Sequence, residues 1–228
     1  MPARHCRASQ RCSEYCLPSV QDWFRARMQA MSVTPYLSPV AAPALPAPVQ
    51  GADARLQGLA PVVGPRTQLL VLGSFPGVAS LAVQQYYAHP QNQFWRLLQA
   101  LWPAHPQPGP QDYAGRCAWL LERGLGLWDV YDSCERQGSL DAAIRRPQVN
   151  EFAALHARCP QLRGLAHNGA ESFRHAGAAL AALNAAGGQT PLQAFKLPST
   201  SPANAAWSFE RKRMAWHDAL AAFGLVTK

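Results

Sequence analysis

The chain has 228 residues, 48% hydrophobic and 9% aromatic, with a formal net charge of +8. That length holds one globular domain with a sizeable core plus an appendage, and no apolar run approaches the roughly 18 residues that a membrane span requires. The positive balance favours a polyanionic partner.

Residues 1–50 stand apart from the rest. Arg4 to Arg27 is polar without the apolar centre of a signal peptide. Gln21 to Ala30 is expected to form a short helix, and Met28 or Met31 is an alternative start. Pro35 to Pro48, rich in Pro and Ala, reads as an extended linker. This segment holds five Arg against Glu14 and Asp22, so residues 51–228, the expected folded domain, are basic in their own right.

From Leu56 the pattern becomes α/β. Gln68 to Leu72 is a continuous apolar strand of the kind buried on both faces. Gly73 to Gly77 follows as a tight loop, and Asn92 to Trp102 places Phe94, Trp95, Leu97, Leu98 and Leu101 at helical spacing. A helix over Cys117 to Arg123 ends at Gly124, followed by a strand and its exit, Leu125 to Tyr131. Ser139 and Asp141 read as a helix cap. Asn150 to Arg158 has an Asn cap before an amphipathic stretch. Then come a strand at Gly164 to Asn168, an Ala-rich helix at Glu171 to Asn184, a strand at Gln193 to Leu197, and a closing helix at Trp207 to Phe223, on which Arg211, Lys212 and Arg213 form a solvated face. Alternating strands and helices predict a three-layer α/β/α sandwich around a mostly parallel four-stranded sheet.

Three of these strands end in polar loops: Ser74 to Gly77, Asn168-Gly169, and Ser199 to Asn204. In a parallel sheet those ends lie at one edge, where pockets form. The first loop lacks the Gly-Lys-Ser/Thr of a phosphate-binding loop. Phe94 and Trp95 belong to the helix core, whereas Tyr87 and Asn92 fall on the loop and helix start. An aromatic face beside a carboxamide suits a flat heterocycle, by stacking and edge hydrogen bonding. Asp129 and Glu135 do not read as an acid/base pair, and His89 belongs to a His-Pro turn. The six cysteines, Cys6, Cys12, Cys16, Cys117, Cys134 and Cys159, form no Cys-x-x-Cys pair, so free thiols are expected, with no metal and no cofactor.

Gly73-Ser74-Phe75-Pro76-Gly77 resembles the first motif of the uracil-DNA glycosylase superfamily. The run Tyr86-Tyr87-Ala88-His89-Pro90-Gln91-Asn92-Gln93-Phe94-Trp95 is similar to that of its hypoxanthine-DNA glycosylase branch. Leu197 to Asn204 resembles the second motif, and Leu127-Trp128-Asp129-Val130 and Ser133-Cys134-Glu135-Arg136 through Ile144 also fit; the likeness covers roughly Leu56 to Phe223. It implies a monofunctional glycosylase that flips a deaminated base out of DNA, chiefly hypoxanthine in deoxyinosine, and leaves an abasic site. Within it, Gly73, Ser74 and Phe75 line the base pocket, Tyr87 stacks on the base, Asn168 reads its edge and Asn92 positions water. Ser199, Thr200, Ser201 and Asn204 lie against the DNA backbone.

Two departures stand out. Phe75 occupies a position where many relatives hold Asp, Glu or Asn, and Pro198 stands where the best-known uracil enzymes carry His. There is also no ligand set for the iron–sulfur cluster of some relatives. The expected partner is DNA containing deaminated bases, bound by a monomer in the cytoplasm at a bacterial nucleoid, with no membrane. A uracil or broad deaminated-base glycosylase and a catalytically idle DNA-binding module are the alternatives.

Overall fold

A computed structural model describes residues 55–186 and 191–227. The expected N-terminal helix, the linker and Cys6, Cys12 and Cys16 lie outside the described residues.

Four strands form a parallel sheet in the order β3-β2-β6-β7: β2 (Leu69–Gly73), β3 (Leu125–Asp129), β6 (Gly164–Asn168) and β7 (Gln193–Leu197). Leu69, Leu70, Val71 and Leu72 are all fully buried, which explains their uninterrupted apolar run: both faces of the central strand are covered. Leu69, Val71, Leu125, Leu127 and Ala166 share one core with Phe94, Leu98, Trp216 and Leu220. These last come from helices α2 (Phe94–Leu101) and α6 (Phe209–Ala222). Leu70, Leu72 and Leu165 share the other core with Phe152, Leu155, Ala179 and Leu183, from a 3-10 segment (Phe152–Arg158) and α5 (Ala176–Ala185). This is the expected α/β/α sandwich.

A second sheet is absent from the sequence reading. It pairs β1 (Arg55–Gln57), β4 (Tyr131–Glu135) and β5 (Arg145–Val149) antiparallel, in the order β1-β4-β5. Every residue of β5, Arg-Arg-Pro-Gln-Val, is exposed, so it carries no alternation of apolar and polar residues by which a strand is recognised. The one-turn-and-a-half helix α1 (Val78–Val83) also went unforeseen, because a distant residue supports its start: Val78 N–H donates to Ser139 Oγ at 3.0 Å. Ser139 therefore does not cap a helix of its own segment, and Asp141 instead accepts a 2.5 Å hydrogen bond from Ser74 Oγ.

Other expectations are corrected by tertiary contacts. Asn150 caps nothing; its Nδ2 donates to the Asp129 carbonyl at 2.9 Å. The Ala-rich helix is broken into α4 (Ala170–Phe173) and α5. Across the break, the Tyr131 hydroxyl bonds Glu171 Oε1 at 2.7 Å and His175 Nε2 at 2.8 Å. Lys212 is not on a solvated face: it is buried, with Nζ donating to Gln93 Oε1 at 3.0 Å. Its flanking residues do face water, Arg211 over the Trp207 ring and Arg213 paired with Glu210.

Trp216 ties the core to the second motif. It is fully buried, packs its ring edge against Phe94, and donates from Nε1 to the Pro198 carbonyl at 3.1 Å. Replacing it with Ala leaves a cavity and an unpaired carbonyl, so a loss of about 3–5 kcal/mol is expected in denaturant unfolding.

Candidate active site

The sheet register builds the site. Gly73 pairs with Asp129 on one side. On the other, Leu72 pairs with His167, which sets Gly73 level with Asn168. Residues level in neighbouring parallel strands project to the same face. Asp129 and Asn168 therefore stand on either side of Gly73, whose missing side chain leaves a gap that Asp129 Oδ1 enters. A methyl group at Gly73 would lie 2.2 Å from Asp129 Oδ1 and 3.8 Å from the Tyr87 hydroxyl. Only Gly lets the backbone come this close to the Asp129 carboxyl, while the Tyr87 hydroxyl is at ordinary contact distance.

Tyr87 covers the gap. Its ring stacks on Phe94 with centroids 3.9 Å apart and planes 24° apart. Its backbone holds a left-handed φ of 57°, uncommon for an aromatic residue and costing of order 1–3 kcal/mol. Its hydroxyl is buried, with the Asn168 side chain as its polar neighbour. Burial, then the nearby Asp129 charge, raise the Tyr87 phenol above its ordinary range against the opposing pull of Asn168, so it stays protonated at neutral pH.

Asp129 is the other polar side chain beside Gly73, one that the sequence reading set aside. It is 4% exposed, and its Oδ2 is buried with no partner among the described residues. Burial first, and then the Asp141 carboxylate, push its pKa up to about 7, against the opposing pull of Arg136. Glu135 plays no part here; it pairs with Arg146 at 3.0 Å on the other sheet. The available signal was a single acidic residue closing an otherwise apolar strand, Leu-Gly-Leu-Trp-Asp. The raised pKa links to stability. In the unfolded chain Asp129 ionises near 3.8, and in the fold near 7, so between those values the folded state binds more protons and stability falls as pH rises. Asp129→Asn should abolish that decline, leaving the variant more stable than wild type above pH 7 by up to roughly 4 kcal/mol in pH-resolved thermal melts.

The second motif closes the opposite side. Asn168 Nδ2 donates to Thr200 Oγ1, and its Oδ1 accepts from Thr200 N–H, each at 2.9 Å. This pair fixes the amide's orientation and leaves it one N–H and one lone pair for another partner. Thr200 is fully buried, so its side chain is corrected from a DNA contact to the clamp on Asn168. Ser199, Ser201 and Asn204 are half-buried on the same loop, which Asn204 Nδ2 braces by donating to the Ser199 carbonyl at 3.0 Å. The two motifs join where Gln93 N–H donates to the Thr200 carbonyl at 3.0 Å.

Asn92 sits half-buried one residue before that junction. Its Oδ1 accepts from Phe94 N–H at 3.0 Å, which closes an Asx turn leading into α2, whose N-cap is Gln93, and leaves Nδ2 as its free group. The Phe75 side chain packs into the second core, under the Arg136 guanidinium at 5.0 Å, and Ser74 Oγ is turned to Asp141. His167 faces the layer opposite the gap: Ser172 Oγ donates to the Leu72 carbonyl and thus accepts from His167 Nδ1–H at 2.8 Å. Burial lowers its pKa to about 4, so the ring is neutral. His89 is exposed. Among the described residues, no group of three His, Cys, Asp or Glu side chains is placed to hold a metal ion.

Comparison with known proteins gives this geometry a family. A Methanosarcina barkeri protein named hypoxanthine DNA glycosylase is 38% identical over 116 residues, 51% of this chain and 72% of that protein. A Methanosarcina acetivorans protein of the same name is 35% identical over 156 residues, 68% of this chain and 92% of that one. The solution NMR structure of a candidate uracil DNA glycosylase from Methanosarcina acetivorans superposes with a TM-score of 0.61 at 29% identity, covering 75% of this chain and 99% of that one. Residues 60–220 match the family profile described as the uracil DNA glycosylase superfamily, and the chain belongs to that superfamily.

Proposed function

We propose that this protein is a monofunctional DNA glycosylase that hydrolyses the N-glycosidic bond of hypoxanthine in deoxyinosine and leaves an abasic site. The observation that supports the reading is the joining of the two motifs: Gln93, next to Asn92, donates its N–H to the Thr200 carbonyl, Thr200 clamps Asn168, and Asn168 stands level with Gly73, near which the Tyr87 hydroxyl lies. The relatives named for hypoxanthine support the choice of base.

The deoxynucleotide flips out of the duplex, at a cost of a few kcal/mol that is smallest for a mispaired base. Tyr87, backed by Phe94, gives the base an aromatic wall. Asn168, held by Thr200, donates its remaining N–H to the carbonyl of the base, where adenine instead presents an amino group. The free Nδ2 of Asn92 orients water toward the sugar C1′. An amide cannot deprotonate water at neutral pH, but orientation suffices when the transition state resembles an oxocarbenium ion and the leaving base takes the electron pair. Ser199, Ser201 and Asn204 meet the DNA backbone, to which the protein's positive charge adds a sequence-independent attraction.

Strand cleavage by Schiff-base chemistry has no support. Of the described lysines, Lys212 holds Gln93, and Lys196 is an exposed residue within β7. The protein acts as a monomer in the compartment that holds the chromosome.

Duplexes carrying one deoxyinosine, one deoxyuridine or only normal bases test the assignment. Abasic sites should form fastest at deoxyinosine and not at deoxyadenosine. Excision confined to deoxyuridine would move the protein to a uracil glycosylase, and adenine release matching that of hypoxanthine would remove Asn168 as the reader of the base.

A further inference from the structure

Asp129 is hard to account for as a structural residue. Buried polar side chains that serve the fold are hydrogen-bonded, and a buried carboxyl without partners is among the costlier things a protein can hold. Yet Asp129 Oδ2 has no hydrogen-bond partner among the described residues. Nor is the carboxyl remote. It stands level with Gly73, its Oδ1 enters the space that a Gly73 side chain would take, and the Tyr87 hydroxyl lies close by, with the Asn168 side chain as its polar neighbour. A buried carboxyl oxygen without a partner, at the carboxyl edge of a parallel sheet beside Tyr87 and Asn168, marks a place where a ligand supplies the missing partner.

We propose that Asp129 is a further catalytic residue, acting in its protonated form as the hydrogen-bond donor to the carbonyl oxygen of the departing base. The proposal rests on the glycosylase reading and adds a second, more acidic donor to the carbonyl oxygen that Asn168 already meets. Asn92 orients water but cannot strengthen it as a nucleophile, so the rate depends on how well the base leaves. When the C1′–N9 bond breaks, its electron pair passes to the base and the developing negative charge spreads to the carbonyl oxygen. A donor waiting there stabilises that charge without reorganisation. The water oxygen then bonds to C1′, and the proton it releases neutralises the departed base, while Asp129 keeps its own proton.

The sign of the charge decides the protonation state that works. An ionised Asp129 would face the lone pairs of the carbonyl oxygen and repel the anionic leaving group across a short, poorly solvated distance. The surroundings favour the neutral acid. The Asp141 carboxylate, from the 3-10 turn at Asp141–Ala143, opposes ionisation, as does burial, while Arg136, just past β4, favours it. The other titratable groups around it are phenols: Tyr86 and Tyr87 on the loop before α2, and Tyr113 on α3 (Tyr113–Glu122), all kept neutral by burial.

The test is the pH profile of kcat/KM on a deoxyinosine duplex for wild type, Asp129→Asn and Asp129→Ala. Wild type should lose about tenfold between roughly pH 6 and pH 8, as the donor proton is titrated away. Asp129→Asn keeps a donor in place, though a weaker one that does not titrate. It should be slower than wild type at low pH, flat across the range, and at least about tenfold faster than Asp129→Ala. A wild-type rate that rises with pH, with both variants inactive, would instead make Asp129 an ionised base acting on water. Equal profiles in all three would make it a bystander. No hypoxanthine release by wild type at any pH would overturn the glycosylase reading as well, which separates that failure from the other two.

Discussion

Asn92→Ala should lose hypoxanthine excision by about 100-fold or more under single-turnover conditions, with binding to the duplex nearly unchanged. The structure gives Asn92 two jobs at once: Oδ1 holds Phe94 N–H at 3.0 Å at the start of α2, and Nδ2 is free. Removing the amide ends both. Loss of that one turn-closing hydrogen bond costs about 1 kcal/mol, too little to unfold a domain built on two cores. Loss of an oriented water costs far more in rate, because misplacing a reactant by about 1 Å is worth on the order of 100-fold. Asn92→Ser separates the two jobs. A serine hydroxyl can close the same turn, more weakly, but is too short to reach the water held by an amide. That variant should melt close to wild type and excise no better than Asn92→Ala. Recovery of excision in Asn92→Ser would reduce Asn92 to a turn-closing residue.

The second large effect is expected at Gly73. A methyl group there would meet Asp129 Oδ1 at 2.2 Å, a separation that only movement of a buried carboxyl can relieve. Overpacking of this kind costs about 1–3 kcal/mol, and it fills the gap in which the base is proposed to sit. Gly73→Ala should therefore fold, melt somewhat lower and lose excision by roughly 100-fold or more. Gly177→Ala is the matched control. It lies within α5, where an added methyl meets nothing within 4 Å; it should gain about 0.5–1 kcal/mol of stability from helix propensity and keep full activity. Unimpaired excision by Gly73→Ala would place the base elsewhere on the sheet edge.

The parallel sheet was legible because its strands are buried on both faces, and continuous apolar runs such as Leu69 to Leu72 have no other economical fate. Its polar ends were legible for the same reason, since Gly73, Asn168 and Ser199 each follow an apolar run. What the sequence concealed depends on contacts between distant residues. The exposed strand β5 exists only because β4 lies beside it. The Ala-rich helix breaks beside residues tied to Tyr131, which no local propensity anticipates. Lys212 looks like one of three solvated cations until the fold brings Gln93 to its Nζ.

The site divides along the same line. Asn92 and Tyr87 were singled out because each stands beside a recognisable motif, and Asn168 because it closes an apolar strand. Thr200 was given the wrong surroundings, since only the register of β6 against β7 reveals that it holds Asn168. Asp129 was missed because its significance lies across the sheet, in the absence of a side chain at Gly73. A partner search for Asp129 along the sequence finds Glu135, which belongs to a different sheet and an ion pair with Arg146.

The most direct measurement is chromatographic detection of free base from a duplex with one deoxyinosine, incubated with the wild-type protein in excess. One free hypoxanthine per lesion, with a strand that stays intact until alkali is added, is the expected result. Tight binding of the duplex with no base released, or a strand already cut before alkali, would contradict a monofunctional glycosylase acting through Asn92.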